Sequence, residues 1–142
     1  MPVGSRAGPV PGRGGSVGVL VVDDQAAFRR AARTLIQGTS AFALVGEACS
    51  GAEGLRRADE LRPDLVLMDV YMPGMDGFEA ARRLTAAHPG CVVVLVSLED
   101  VEDLPALVAS SGAVALVRKQ DLKPSLLRQL WATQGAGPPG ES

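Results

Sequence analysis

Aromatic residues are scarce in this chain: three Phe, one Tyr and one Trp, 4% of 142 residues. Its core must therefore be aliphatic, drawn from the Val, Leu and Ala that dominate a 46% hydrophobic composition. Histidine occurs once, as His88, and cysteine twice, as Cys49 and Cys91. No His pair and no Cys/His cluster with zinc spacing can be assembled from them. The two cysteines, at the ends of expected strands, read as small buried hydrophobes in a reducing compartment. His88, in a loop before Pro89, reads as an exposed bystander. Basic excess is also absent, since the net charge is −2, which speaks against a nucleic-acid surface on this chain. No apolar run approaches the ~20 residues of a membrane span. A G-x-x-x-x-G-K-[ST] string is missing, which excludes a P-loop. The glycines Gly12, Gly14, Gly15 and Gly18 precede a strand and miss dinucleotide-binding spacing.

What is present is one domain's worth of alternating pattern. A chain of this length buries about 68–70% of its unfolded surface, enough for one core. Residues 1–16 are Gly/Pro/Arg-rich without an apolar h-region, so they read as a disordered leader and not a secretory signal. Residues 134–142 read as a flexible tail or a linker cut before a second domain. Between them, strand-like and helix-like runs alternate five times over 17–133. The strands are expected at Val17–Val22, Phe42–Glu47, Asp64–Asp69, Val92–Val96 and Val114–Val117. The helices are expected at Ala26–Gln37, from Ser50 to Pro63, at Phe78–Ala87, from near Asp103 to Ser111, and at Pro124–Thr133. Phe28, Ala31, Leu35 and Ile36 share one face of the first helix; Leu55, Ala58 and Leu61 share one face of the second. Leu127, Leu130 and Trp131 form the stripe of the last. Ser50-Gly51-Ala52-Glu53 fits a capping box, and Pro124 suits a first helical turn. Pro105 cannot sit deep in a helix, so the fourth is short and the acidic stretch Leu98-Glu99-Asp100-Val101-Glu102 before it reads as a mobile loop. Near-continuous Val/Leu runs are those of strands buried on both faces. Strict βα alternation then implies an α/β fold: a parallel sheet with right-handed crossovers and helices on both sides.

The chemistry sits where the strands end. The first run ends in Asp23-Asp24, the third in Asp69, and the fourth in Ser97; the fifth leads through Arg118 to Lys119. Open α/β sheets hold their ligands at this carboxyl edge. Each residue alone has an ordinary explanation. An acidic pair after a strand is commonly a helix N-cap, and an Asp before Pro/Gly is commonly a turn former. A lone Ser ends strands, and a lone Lys is usually solvated. Their joint order is what points to a site.

That order, with 45 residues from Asp24 to Asp69, 28 from Asp69 to Ser97 and 22 from Ser97 to Lys119, resembles the CheY-like receiver domain of two-component response regulators over about residues 17–131. The string Met72-Pro73-Gly74-Met75-Asp76-Gly77 after Asp69 carries the likeness, as do Gly46-Glu47-Ala48 and Arg62-Pro63-Asp64. The resemblance implies a doubly wound (βα)5 flavodoxin-like sandwich with strand order 2-1-3-4-5. It implies that Asp69 is the phosphoacceptor, that Asp24 ligates Mg²⁺ directly and Asp23 through water, and that the backbone carbonyl of Tyr71 completes the protein ligands. Ser97 and Lys119 would contact the phosphoryl group. Three close carboxylates repel unless a cation intervenes, and Mg²⁺ is a hard ion suited to oxygen donors and phosphate. The resemblance further implies a cytoplasmic signalling module with a sensor histidine kinase as partner and homodimerisation on phosphorylation. It implies no membrane contact, and DNA contact only through an output domain not present in this chain. Such a module catalyses only its own phosphorylation and dephosphorylation. Gly46-Glu47-Ala48 and Gly112-Ala113 most resemble the branch that carries a C-terminal helix-turn-helix.

The chain departs from the pattern at three places. Gln120 stands where a cis proline often follows the lysine, so a trans Lys119–Gln120 bond is expected. Leu116 occupies the aromatic switch position, with Ala115 replacing a common Gly. Leu98 stands after Ser97 where a small residue is usual and could narrow access to Asp69. Two other classes remain open on the sequence: a small phosphatase acting on external substrates, and a pseudo-receiver that only binds protein. A dehalogenase-type phosphatase is disfavoured because it needs a second Asp where Tyr71 stands.

Overall fold

The Val/Leu runs form the middle of the sheet because only positions covered on both faces tolerate side chains that are apolar on both faces. The computed structural model describes residues 16–98 and 105–136. Its strands are β1 Val17–Val22, β2 Phe42–Ala48, β3 Leu65–Asp69, β4 Val92–Ser97 and β5 Ala115–Arg118. They pair in parallel in the order β2-β1-β3-β4-β5. Every residue of β1, β3 and β4 is buried, whereas the edge strand β5 is half-buried throughout. The helices are α1 Ala26–Gln37, α2 Gly51–Leu61, α3 Gly77–Ala87, α4 Pro105–Ser111 and α5 Pro124–Trp131; a 3-10 turn spans Lys119–Asp121 and a π turn Ala132–Ala136.

Alternation along each central strand divides the core in two. Val17, Val19, Val21, Leu65, Leu67, Val92, Val94 and Val96 pack with Ile36 of α1 and with Leu127 and Trp131 of α5. Leu20, Val22, Val66, Met68, Val93 and Leu95 pack with Ala58 of α2 and with Ala80, Ala81 and Leu84 of α3. This is the doubly wound sandwich expected from the sequence.

The short signatures turn out to be joints of this frame. The Asp64 carboxylate accepts a 2.7 Å hydrogen bond from Gly18 N, latching the entry of β3 to β1. Gly46 follows a one-residue bulge, where the pairing with β1 jumps from Val19–Leu44 to Leu20–Gly46. Glu47 pairs with Arg33 at 2.7 Å and with Arg29 at 3.5 Å, tying β2 to α1. Ser50 caps α2 by accepting from Glu53 N, while Glu53 accepts from Cys49 N, one residue earlier than the usual reciprocal bond. Asp76 caps α3 in the same way through Glu79 N, which starts that helix at Gly77, one residue before the expected Phe78.

Several expectations are corrected. Cys49 is exposed and Cys91 only half-buried: Cys49 comes one residue after β2 ends at Ala48, and Cys91 one residue before β4 begins at Val92. Ala31 is exposed, and Ala32 takes its place on the buried face of α1. His88 is no bystander: its Nε2 lies 2.7 Å from Asp59 Oδ1, joining the end of α3 to α2. The leader up to residue 15, residues 99–104 of the acidic stretch and its helix start, and the tail from residue 137 lie outside the described residues.

Candidate functional site

Strand register alone gathers the candidate residues. Val22 pairs with Met68 of β3, so Asp23 and Asp69, the next residues, stand side by side at the carboxyl edge. Asp69 pairs with Val96, so Ser97 is one step away on β4. Ser97 in turn pairs with Arg118, which places Lys119 at the end of β5. Asp23 and Asp69 share parity with Val19, Val21, Leu65 and Leu67, and therefore lie on the α1/α5 side of the sheet.

Local structure then fixes each carboxylate. Asp23 N donates to Ala48 O at 3.0 Å. Asp23 Oδ1 accepts from Gln25 N at 2.8 Å, an Asx-type turn that starts α1. Arg29 Nη1 reaches back to the Asp23 carbonyl at 2.7 Å. After Asp69 the chain must leave the sheet and begin α3 within eight residues. Gly74 takes a left-handed φ of 79° in that loop. Gly77 sits against Asp69 itself: a Cβ there would overlap the Asp69 carbonyl oxygen.

The resulting cluster is dense in charge. Asp23, Asp24 and Asp69 each offer an oxygen within 4.8 Å of the others. Asp23 is 0% exposed and Asp69 5%, while Asp24 is open to solvent. Lys119 reaches in with a side chain only 6% exposed, its Nζ 2.6 Å from Asp23 Oδ2 and 3.4 Å from Asp69 Oδ1. The 2.6 Å contact is an ion pair between two buried groups. Burial, and then the Asp23 charge, raise the Asp69 carboxyl from its ordinary 3.8 to about 6, against the opposing pull of Lys119. One ammonium does not balance three carboxylates. A hard divalent cation fits the all-oxygen donor set of the three carboxylates and the exposed Asp24, and Mg²⁺ is such an ion.

Of the residues expected from the sequence, Asp23, Asp24, Asp69 and Lys119 are brought together by these distances. Ser97 is buried at the end of β4, one residue past the register partner of Asp69. Tyr71 lies two residues beyond Asp69 with its ring 58% exposed, so its side chain closes nothing over the site. Leu98, the last described residue before the acidic stretch, is 60% exposed. The Lys119–Gln120 bond is trans, as expected, and no described peptide bond is cis. One residue was undervalued. Phe28, read only as part of the apolar stripe of α1, has its ring centroid 4.4 Å from Lys119 Nζ. Its place one turn after the acidic pair is the signal that marks it.

Known proteins resemble this chain in sequence and in fold. The family model described as the response regulator receiver domain matches residues 19–130. The response regulator GacA of Pseudomonas viridiflava is 41% identical over 101 residues, which are 71% of this chain and 47% of that protein. The transcriptional regulatory protein YdfI of Bacillus subtilis is 38% identical over 82 residues, 58% of this chain and 38% of that protein. The chain thus spans about half or less of the length of these relatives. The response regulator domain of Thermotoga maritima CheB superposes with a TM-score of 0.76 at 28% identity, covering 87% of this chain and 99% of that domain. A five-stranded 2-1-3-4-5 sheet, an acidic cluster with a buried lysine at its carboxyl edge, and a match across most of the sequence have one explanation: this chain belongs to the response regulator receiver domain family.

Proposed function

We propose that Asp69 is the phosphoacceptor of this receiver domain and that Mg²⁺, held by Asp23, Asp24, Asp69 and the Tyr71 carbonyl, is required for the transfer. The observation that carries the reading is the burial of Asp69 beside two further carboxylates and the Lys119 ammonium. A carboxylate oxygen of Asp69 attacks phosphorus, a new O–P bond forms, and the bond from phosphorus to the donor breaks. The electron pair leaves with the donor, an imidazole nitrogen of a phosphohistidine or the acetate oxygen of acetyl phosphate. Carboxylate nucleophiles form aspartyl phosphates by this route. Lys119 supplies positive charge to a phosphoryl oxygen, and the Ser97 hydroxyl donates to another. When bound, Mg²⁺ supplies further positive charge where the oxygens crowd. The raised Asp69 carboxyl is still ionised at neutral pH, as a nucleophile must be.

The chain then acts on no external substrate; it catalyses its own phosphorylation and dephosphorylation, with a sensor histidine kinase as donor in the cytoplasm. Two phosphorylated copies would pair. DNA binding would belong to an output domain outside these residues, in keeping with the Bacillus relative being a transcriptional regulatory protein. Intact mass after acetyl phosphate treatment in Mg²⁺ tests the core of this. One phosphoryl group is expected on the wild type, and none on Asp69→Asn or without Mg²⁺. An adduct that persists in the Asn variant overturns the assignment of Asp69.

A further inference from the structure

We propose that Phe28 is a positioning residue: its ring face holds the Lys119 ammonium beside Asp69 by a cation–π contact and so sets the rate of phosphoryl uptake. The inference rests on the phosphoacceptor reading of Asp69 for its rate effect, but not for the contact itself. Lys119 Nζ lies 4.4 Å from the Phe28 ring centroid, inside the ~6 Å range over which the ring quadrupole attracts a cation. The amine is almost fully withdrawn from water at 6% exposure, where such a contact is strengthened by loss of solvent.

The geometry gives the ring a task that the carboxylates cannot perform. Lysine carries its charge on a flexible four-carbon stem with three rotatable donors. Asp23 Oδ2 at 2.6 Å pulls the ammonium away from Asp69, whose Oδ1 is farther at 3.4 Å. The Phe28 ring attracts the cation without occupying any N–H as a directed hydrogen bond would. The ammonium can therefore turn from Asp23 toward an oxygen on Asp69 while staying on the ring. The ring itself is stiffly placed. It stands in the first turn of α1, packed against the buried α1/α5 cluster. That turn is anchored by the hydrogen bond from Gln25 N to Asp23. Asp23 and Phe28 thus leave one helix start as two walls of the lysine's seat.

A plain apolar wall would give the same shape without the attraction, and fluorination separates the two. Phenylalanine 28 is replaced by its mono-, di- and trifluoro analogues, which change size little and drain the ring face of negative charge. Phe28→Leu and Phe28→Tyr complete the series, and thermal melting confirms that each is folded. The initial rate of phosphoryl uptake from acetyl phosphate at fixed Mg²⁺ should fall stepwise with fluorine count, by about 3- to 10-fold at the trifluoro ring. Phe28→Leu should fall as far, and Phe28→Tyr should stay near wild type. A rate that is flat across the fluorinated series overturns the proposal. Side-chain NMR of the phosphate-free protein gives an independent reading. The Lys119 ε-methylene protons should be shifted upfield by the ring, and the shift should vanish in Phe28→Leu. Unchanged Lys119 resonances in that variant overturn the contact. A wild type that takes no phosphoryl group overturns the reading of Asp69 and the rate effect together, while the resonances still decide whether Phe28 seats the lysine.

Discussion

Asp69 joins the proposed phosphoacceptor role to a stability cost in one side chain. Its carboxyl is raised from 3.8 to about 6 first by burial, then by Asp23. Between those values the unfolded chain has lost the proton that the folded protein keeps, so stability falls as pH rises through this window. Above it, the charged buried carboxylate costs up to about 3 kcal/mol. In metal-free buffer, urea unfolding should therefore show a negative slope of stability against pH between 3.8 and about 6. Asp69→Asn should flatten that slope and be the more stable protein at neutral pH. An Asn variant with the wild-type slope would place the titration elsewhere. Other residues were less legible. His88 gave no periodic signal, and its bond to Asp59 joins residues 29 apart in the sequence across two helices. Lys119 alone reads as solvated by type; its order and spacing after Asp69 and Ser97 placed it at the site, and the structure buries its side chain there.

Elements were legible where burial dictated composition, and blurred where hydrogen bonds set the ends. β1, β3 and β4 are covered on both faces, so their Val/Leu runs announce them directly. β2 and β4 run one residue past their expected ends, to Ala48 and Ser97, because ladder bonds continue beyond the last large apolar side chain. Ala31 and Ala32 are adjacent on α1 and identical in type, so periodicity alone could not tell which faces the sheet. Two tight spots now separate frame from site. Ser50 caps α2 through Glu53 N at 3.1 Å, and its hydroxyl bonds the helix start and not the acidic cluster. Ser50→Ala should cost about 1 kcal/mol in thermal or urea unfolding and leave phosphoryl uptake at the wild-type rate. Gly77→Ala should do more than destabilise. A methyl group there meets the Asp69 carbonyl and the Val70 backbone, which cannot yield without moving Asp69. Loss of Mg²⁺ affinity and of phosphoryl uptake is expected in a protein that still folds. Wild-type uptake by a folded Gly77→Ala variant would show that the loop absorbs the methyl without moving Asp69.

Across the whole molecule, stability is graded from the centre of the sheet to the β5 edge. The described part of α4 has seven residues, of which Ser111 is buried, and Leu107 stands exposed. β5 has four residues, all half-buried. Gly112, at a left-handed φ of 83°, joins them, with Thr85 of α3 closing over it. Segments with so little buried apolar surface open most readily. They are also the segments nearest in the chain to Ser97 and Lys119, the two groups proposed above to meet a phosphoryl oxygen. Phosphorylation at Asp69, as proposed, would bring about −1.5 to −2 charge and new acceptor oxygens. Two hydrogen bonds to a charged group are worth ~3–6 kcal/mol gross. Moving a two-state equilibrium from 1:99 to 99:1 takes about 5.5 kcal/mol of differential contact. The contacts at Ser97 and Lys119 are thus of the right size to reset a weakly held α4–β5 segment, and too small to remodel the fully buried β1–β3–β4 core. Leu116 offers no aromatic ring to swing, so the backbone itself must carry the change. Amide hydrogen exchange with and without a beryllofluoride phosphate mimic and Mg²⁺ should show altered protection across residues 105–118 and little change from β1 through α2. Altered protection confined to β1–α2, with 105–118 unchanged, would mean that the signal leaves by the opposite edge of the sheet.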